Sequence, residues 1–436
     1  MQHKEEYKSI ITNIKKEVFT DDIIKIAKKI KENNGNLYLV GGAVRDAFIK
    51  NEDSHDEDYC VEGISEELFR KIFPESIKKG KTFEVFGIGN REFALARKEI
   101  KTGRGHKEFK VETNNKVTIK EDLLRRDITI NSIAIDVLSG KIIDPYNGLK
   151  DIKNKQIRAI SDSFKEDPLR VYRVARFASK LDFEVEEKTL KLMNRLKSEL
   201  IYLSKERVFE ELRKALNTKN PSKFFDILKK ADVLDVHYKE IYNLIGAEQP
   251  VKYHPEGDAY NHTMLALEMC AKLTKNEIIR FCVLVHDLGK GVTPKEMYPH
   301  HYGHEIMGIK QVENFCKRIN TPKMWMKCAK IASREHMRAG KFNFMNTAKK
   351  VTFIETIDKT VLGLDALEIV VESDRNCRGT EKSKVEFAEI GKKMLKEIDG
   401  NYIKKKYDLK EGIQIKERMH QERIKWMNHR DGAFES

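Results

Sequence analysis

The chain has 436 residues, and Lys plus Arg outnumber Asp plus Glu by 83 to 69, a formal charge of +14. That length exceeds one ordinary core and implies two or three domains, while the charge points to a polyanionic partner, nucleic acid rather than membrane, because no single amphipathic helix carries it. An apolar run long enough to span a bilayer, a signal peptide and any CxxC pair are all missing from the sequence, so a membrane protein and a disulfide scaffold are excluded and a soluble cytoplasmic protein is expected.

Residues 21–32, DDIIKIAKKIKE, repeat apolar side chains at Ile23, Ile26, Ala27 and Ile30, which is helical spacing, and Asn34-Gly35 ends the run. From LYLV at 37 to INSIAIDV at 130, short apolar runs alternate with turns, among them EVFGIGN, EFALARK and KVTIKED. This pattern predicts a small α/β sheet domain. Between Arg97 and Glu112 the stretch RKEIKTGRGHKEFKVE is charged and punctuated by glycine, the composition of a mobile loop or a long hairpin. After the turn DPYNGLKDI, with Pro145 and Gly148, strand patterns vanish: PLRVYRVARFASKL, TLKLMNRLKSEL, RVFEELRKAL and SKFFDILKKADVL all carry helical periodicity. GAEQPVKYHPEGD, residues 246–258, breaks that run and marks the best domain boundary. The expected organisation is an α+β head (1–140), an all-α neck and body (141–245), a second all-α domain (246–385) and a basic helical tail (386–436). The tail is read either as an RNA-contacting helix or as a frayed end.

Asp56 and Asp58 stand one residue apart at the mouth of a predicted strand, shortly after Gly41-Gly42. On one strand face their carboxylates would lie about 5 Å apart and repel by roughly 3 kcal/mol at an effective dielectric near 20. A divalent cation between them removes that repulsion, and two carboxylates suit Mg²⁺, which keeps its other positions for water and phosphate oxygens. Gly41 and Gly42 lack side chains, so backbone N–H groups there can face a triphosphate, and AVRDAFI starts a helix whose N-terminus favours anions. Arg45 offers a charged contact to phosphate or to a nearby carboxylate. Glu92, in the strand-like REFALAR, is expected to pair beside the aspartates and to orient or deprotonate a ribose hydroxyl, completing the catalytic set Asp56, Asp58 and Glu92.

GGAVRD…DED, LLRRDITINSIAID, DPYNGLKDI and EDPLRVYRVARF occur in this order. Together they resemble the class II tRNA nucleotidyltransferases, the CCA-adding enzymes and bacterial poly(A) polymerases, from about residue 35 to 180. Ser132, and Tyr59-Cys60 after the aspartates, depart from the usual residues of that family without removing a catalytic group. The resemblance implies a polymerase-beta-like head that binds an NTP with Mg²⁺ on Asp56 and Asp58, and nucleotide contacts from Gly41, Gly42 and Arg45. It also implies ribose and phosphate contacts from Arg125, Arg126 and Asp127, with Asn131 completing that wall. Asp167 and Arg170 are three residues apart and on a helix would face one way. An accepting carboxylate beside a donating guanidinium fits the donor and acceptor shared by the Watson–Crick edges of C and A, whereas G and U would leave mispaired groups at about 1–3 kcal/mol each. Arg173 is expected on the triphosphate or the base. By analogy, a flexible loop within 97–112 favours full CCA addition over CC addition alone.

In the C-terminal half, YNHTMLALEMCAKL and FCVLVHDLGKG are helical runs, and the His286-Asp287 pair inside an apolar stretch needs a partner or a metal. His262, His286, Asp287 and a distant aspartate resemble the ligand set of an HD phosphohydrolase, with Asp374 chosen to close it and Asp358 as the alternative. Imidazole plus carboxylate suits a transition metal such as Ni²⁺, Mn²⁺ or Co²⁺. Lys290 is read as a phosphate contact; His301, His304 and His336 are open between substrate contacts and ligands of a second metal. The stretch 250–380 resembles the HD domain fused to CCA-adding enzymes of some bacteria. The implied activity there is metal-dependent hydrolysis of phosphomonoesters or cyclic phosphates, with a degenerate tRNA-binding body as the competing reading. The whole chain is therefore expected to be a bifunctional RNA-end enzyme whose partners are tRNA, CTP and ATP, with no membrane partner and either a monomer or a homodimer. The competing readings are a poly(A) polymerase, an HD hydrolase whose head only binds RNA, and a non-catalytic tRNA-binding protein.

Overall fold

Alternation with a period of two builds the head. Along β1 (Asn36–Val40), Leu37 and Leu39 enter one apolar cluster while Tyr38 and Val40 enter another on the opposite face. Along β2 (Asp58–Glu62), Tyr59 and Val61 join the first cluster and Cys60 the second. The larger cluster is covered by the helices Gln2–Glu17, Asp21–Glu32, Gly42–Ile49 and Glu66–Ile72, through Ile10, Ile14, Ile23, Ala27, Ile30, Val44 and Phe69. The smaller is covered by the helix Ile119–Leu124 through Ile119 and Leu123. This computed structural model describes residues 2–49, 57–79, 85–101, 109–112, 116–252, 254–377, 385–409 and 411–432. Asp56 and the tip of the predicted loop, residues 102–108, lie outside the described residues.

The strands that follow are β3 (Ile77–Lys79), β4 (Val85–Ile88), β5 (Arg91–Leu95), β6 (Lys98–Lys101), β7 (Phe109–Glu112), β8 (Ala134–Asp136) and β9 (Ile142–Ile143), and a short parallel pair, β10 (Gln156–Ile157) with β11 (Glu184–Val185), lies in the stretch expected to be all-α. Seven of the strands form one sheet in the order β3-β4-β5-β2-β1-β8-β9. Its pairs are antiparallel except β2 with β5, so the sheet is mixed and the head is α+β as expected. β6 and β7 pair antiparallel, so the flanks of the glycine-punctuated segment form a hairpin.

The chain divides into two compact units, residues 1–203 and 204–436. After the sheet, the first unit turns helical with Arg170–Leu181 and Glu187–Arg195. The second is helical throughout its described residues apart from turns and an isolated bridge, and it buries Phe281, Leu284, Phe315, Trp325, Phe353, Leu367 and Val370. Its last helix, Gly412–Gly432, is folded rather than frayed. Arg423 Nη1 lies 2.8 Å from Glu355, Lys350 Nζ lies 2.7 Å from Asp431, and Ile398, Ile403 and Ile415 form a small core of their own. No described helix is long and apolar enough to cross a membrane. All six cysteines are free thiols and five of them are buried.

Candidate functional site

The head site is assembled by strand register. β1 ends at Val40, which pairs with Asp58, and on the far side of β2 Asp58 pairs with Glu92 of β5. Strand parity puts Asp58 and Glu92 on the face of the smaller cluster, with Cys60 and Ala96. Gly41 turns the chain out of β1 with φ +77°, a conformation that strains any residue bearing a Cβ. A Cβ there would lie 3.4 Å from Asp58 Oδ2 and 3.2 Å from Arg126 Nη1, so the glycine, the carboxylate and the guanidinium converge on one spot. The helix Gly42–Ile49 begins at that spot. Both acids are solvent-accessible, and Glu92 accepts a 3.1 Å contact from Lys79 Nζ.

Arg45 meets the second of its two expected partners, a carboxylate. It is buried, with Nε 2.7 Å from Asp46 Oδ1 and Nη1 2.6 Å from Asn131 Oδ1. Asn131 donates to Asp127 Oδ1 at 3.0 Å, and Arg173 Nε donates to Asp127 Oδ2 at 2.8 Å. Burial pushes the Asp127 carboxyl up, but Arg173, Asn131 and Arg170 outweigh it and bring its pKa down to about 2. Arg125 and Arg126 share a buried partner that sequence reasoning missed, Asp122: Arg125 Nη2 is 2.7 Å from Oδ1 and Arg126 Nη2 is 3.3 Å from Oδ2. Burial opposes ionisation of Asp122, and the two guanidinium groups still hold it below the usual carboxylate range. The signal was present in EDLLRRD, where Asp122 precedes the arginines by three and four residues on the last turn of a helix.

The expectation that Asp167 and Arg170 share a helix is not met. Helix Arg170–Leu181 starts at Arg170, and Asp167 precedes it in extended backbone (φ −124°, ψ 105°), half-buried, with Oδ1 accepting from Leu169 N–H at 3.0 Å. Pro168 disfavours helical backbone at the residue before it, which is the physical reason. Arg170 is buried and donates to the main-chain carbonyls of Ser163 and Arg125, each at 2.5 Å.

In the second unit, five segments converge. His262 comes from the helix Ala259–Leu273, His286-Asp287 from the end of Glu277–Val285, His304 from the start of His304–Ile319, His336 from Lys323–Gly340 and Asp374 from Gly363–Asn376. His262 Nδ1 is held by Glu256 Oε1 at 2.7 Å, and His286 Nδ1 by the Val283 carbonyl at 2.6 Å, so both rings turn Nε2 inward. His262 Nε2 lies 2.8 Å from Asp374 Oδ1, and His286 Nε2 lies 3.3 Å from Asp287 Oδ2. Asp374 thus stands in the cage, whereas Asp358 lines a separate cavity with Glu355, Lys359 and His420. Lys290 Nζ lies 2.6 Å from Asp287 Oδ2 and donates to Gln249. His301 Nε2 lies 2.9 Å from the Glu248 carbonyl. Glu256 was missed in the sequence because it lies in a segment that reads only as a chain break.

Among the described residues, His286 Nε2 and Asp287 Oδ1 are buried without a hydrogen-bond partner, while Asp287 Oδ2 is ion-paired with Lys290. Nitrogen and carboxylate donors left in this state fit a divalent transition metal, and His262, His286 and Asp374 offer ligand atoms within 4.8 Å of one another. The cage opens on a cleft of about 330 Å³ lined by Lys290, His301, His304, Lys341 and Asp374.

A mixed sheet with a glycine turn beside paired strand acids, followed by helices and a His/Asp cage, defines a nucleotidyltransferase that carries an HD domain. Residues 37–158 match the poly A polymerase head domain, 182–244 the probable RNA and SrmB-binding site of polymerase A, and 259–362 the HD domain. The multifunctional CCA proteins of Shewanella frigidimarina (strain NCIMB 400) and Shewanella denitrificans (strain OS217) are 45% and 44% identical to this chain over 307 residues, 69% of it and 73% of each of them. The chain belongs to the multifunctional CCA protein family. The Thermotoga maritima CCA-adding enzyme complexed with tRNA-CCA shares the fold, with a TM-score of 0.66 at 20% identity over 96% of this chain and 94% of that one.

Proposed function

We propose that the head adds C, C and A in turn to the 3′ end of tRNA from CTP and ATP in the cytoplasm, and that the HD domain hydrolyses phosphomonoesters or 2′,3′-cyclic phosphates. The observation that carries the first half is the in-register pairing of Asp58 with Glu92 beside the Gly41 turn. Asp58 together with Asp56 would hold Mg²⁺, which would supply charge neutralisation at the transferring phosphate. Gly41 and Gly42 offer backbone N–H groups to the triphosphate, and Arg126 adds a positive charge there. Glu92 orients or deprotonates the attacking ribose hydroxyl. Asp127, tied to Asn131 and Arg173, keeps the nucleotide wall rigid. Asp167 and Arg170 read the base: the two carbonyls that hold Arg170 fix its guanidinium plane, and the Leu169 N–H fixes the Asp167 carboxylate.

In the HD domain, His262, His286, Asp287 and Asp374 would hold a transition ion such as Ni²⁺ or Mn²⁺, which would supply Lewis-acid activation of water. Lys290 contacts the substrate phosphate. The relatives' name, multifunctional CCA protein, supports pairing both activities in one chain.

The test is incubation of the protein with tRNA lacking its 3′ CCA and each labelled NTP, with product length resolved. Growth by C, C and A and then arrest is expected. A run of A residues would replace this reading with a poly(A) polymerase. Binding to tRNA is expected to fall steeply with salt, as backbone contacts by a chain of charge +14 require.

A further inference from the structure

Behind the acids of the head site, the opposite face of the same two strands carries an ion pair. Glu57 stands one residue before Asp58, and Arg91 one residue before Glu92. Asp58 pairs with Glu92 in the parallel register of β2 and β5, so one step back along both strands sets Glu57 against Arg91. Arg91 Nε lies 3.0 Å from Glu57 Oε2. Strand parity turns these two residues to the face of the larger cluster, with Tyr59, Val61, Phe93 and Leu95, while Asp58 and Glu92 take the other face.

The pair is tied into its surroundings at both ends. The Tyr59 hydroxyl donates to the same Glu57 Oε2 at 2.9 Å, and the buried Tyr59 ring stacks on Phe93 with centroids 5.3 Å apart and planes 17° apart. Arg91 Nη2 donates to Thr20 Oγ1 at 3.1 Å. Thr20 is the N-cap of the helix Asp21–Glu32, where a hydroxyl ordinarily accepts from the first turn of its own helix; here it makes no such bond and serves Arg91 instead. One carboxylate oxygen thus accepts from two donors, and one guanidinium joins β2 to a helix. Both side chains of the ion pair are 28% exposed, and an isolated pair so exposed contributes little to stability. Its place in the sheet gives it another use. Like charges directly opposite each other on neighbouring strands push the strands apart. Asp58 and Glu92 are such a pair, and the attraction between Glu57 and Arg91 acts one residue away on the same two strands, against that separation.

We propose that Glu57, held by Arg91 and Tyr59, is a positioning residue for nucleotidyl transfer: from the far face of the sheet it fixes the spacing of the strand ends that carry Asp58 and Glu92. This role rests on the reading of the head given above, in which Asp58 serves Mg²⁺ and Glu92 the ribose hydroxyl. A small error in the spacing of such groups is costly to the rate, because the reacting atoms must be held within a narrow range of distance.

The experiment compares the full-length wild type with Glu57→Gln, Arg91→Met and the double variant, and runs Asp58→Ala alongside. CMP incorporation into tRNA lacking its 3′ CCA is followed across a Mg²⁺ series. Each single variant is expected to lower kcat and to raise the Mg²⁺ concentration for half-maximal rate by about tenfold, with KM for CTP and for tRNA unchanged. The double variant should lose no more than the worse single one, as two members of one pair do. In metal-free protein, amide hydrogen exchange over residues 57–62 and 91–95 should be faster in both single variants, which reports the strand ends without catalysis. A folded Glu57→Gln protein with the wild-type kcat and Mg²⁺ dependence overturns the positioning role, and so does a loss confined to KM for tRNA, which makes Glu57 an RNA contact. Losses that add in the double variant overturn the pairing with Arg91. Undiminished incorporation by Asp58→Ala overturns the reading of the head, and this role with it. Thermal unfolding shows which variants are folded, and Arg91→Met decides the matter by the same readings if Glu57→Gln is not.

Discussion

Asp58 and Glu92 sit opposite each other on neighbouring parallel strands, at the end of the sheet where Gly41 leaves β1. The sequence expectation placed Glu92 beside the aspartates although 34 residues separate it from Asp58, and the described chain between them forms a helix and two further strands. The pairing makes one acidic edge from two remote segments.

Asp58→Ala is expected to lower CMP and AMP incorporation by about 10³-fold or more, because a metal ligand contributes several kcal/mol to the transition state. Phosphate release by the HD domain should stay unchanged. Assaying both activities on one preparation checks this, and their joint loss in a protein with an unaltered melting curve would show that the two sites were misassigned.

Gly41→Ala should weaken nucleotide binding more than it lowers stability. The left-handed backbone strains the variant by about 1–2 kcal/mol. Its methyl group also sits against Asp58 Oδ2 and Arg126 Nη1, at 3.4 and 3.2 Å. Nucleotide titration and thermal unfolding, measured side by side, separate the two effects.

Asp167→Ala is predicted to relax the choice of NTP toward G and U by about 10- to 100-fold, the value of one buried mispaired group. Competition between labelled CTP and UTP on a tRNA lacking CCA measures it. Unaltered selectivity removes Asp167 from base reading.

Asp127→Asn should destabilise the first unit by roughly 2 kcal/mol at neutral pH. The folded carboxyl titrates at about 2, below the unfolded value of roughly 3.9, so its contribution is complete above about pH 4 and is lost as pH falls toward 2. The gap between wild type and variant in urea unfolding should therefore be constant from pH 7 to 5 and shrink below pH 4. A gap that widens on acidification contradicts the assignment.

His286→Ala should remove phosphohydrolysis and leave CCA addition intact. Glu256→Gln should keep the fold and weaken metal binding at the HD cage by about 10- to 100-fold, because Glu256 orients His262 through a 2.7 Å contact to Nδ1. Metal titration read by calorimetry distinguishes this from a general loss of structure, which would appear in the melting temperature instead.

Local chemistry was legible in the chain. The apolar run LYLV announced a strand, Gly41-Gly42 a turn, and His286-Asp287 in an apolar run a buried polar pair that needed a partner or a metal. Asp122 was also within reach, since its arginines lie three and four residues on. These features depend on side chains close in sequence, where helix and strand geometry dictates who meets whom.

Contacts across long separations were decided by packing alone. Asp374 rather than Asp358 stands beside His262, yet both are helical aspartates that differ by one turn-rich connection, and only the arrangement of helices in three dimensions chooses between them. Arg45 is drawn into a buried network with Asp46 and Asn131, and Asp167 is left off the helix by Pro168. The sequence by itself determined which residue types could bind phosphate and metal. The tertiary structure decided which of them meet, because burial makes an unpaired charge so unfavourable that only the complete fold supplies its partner.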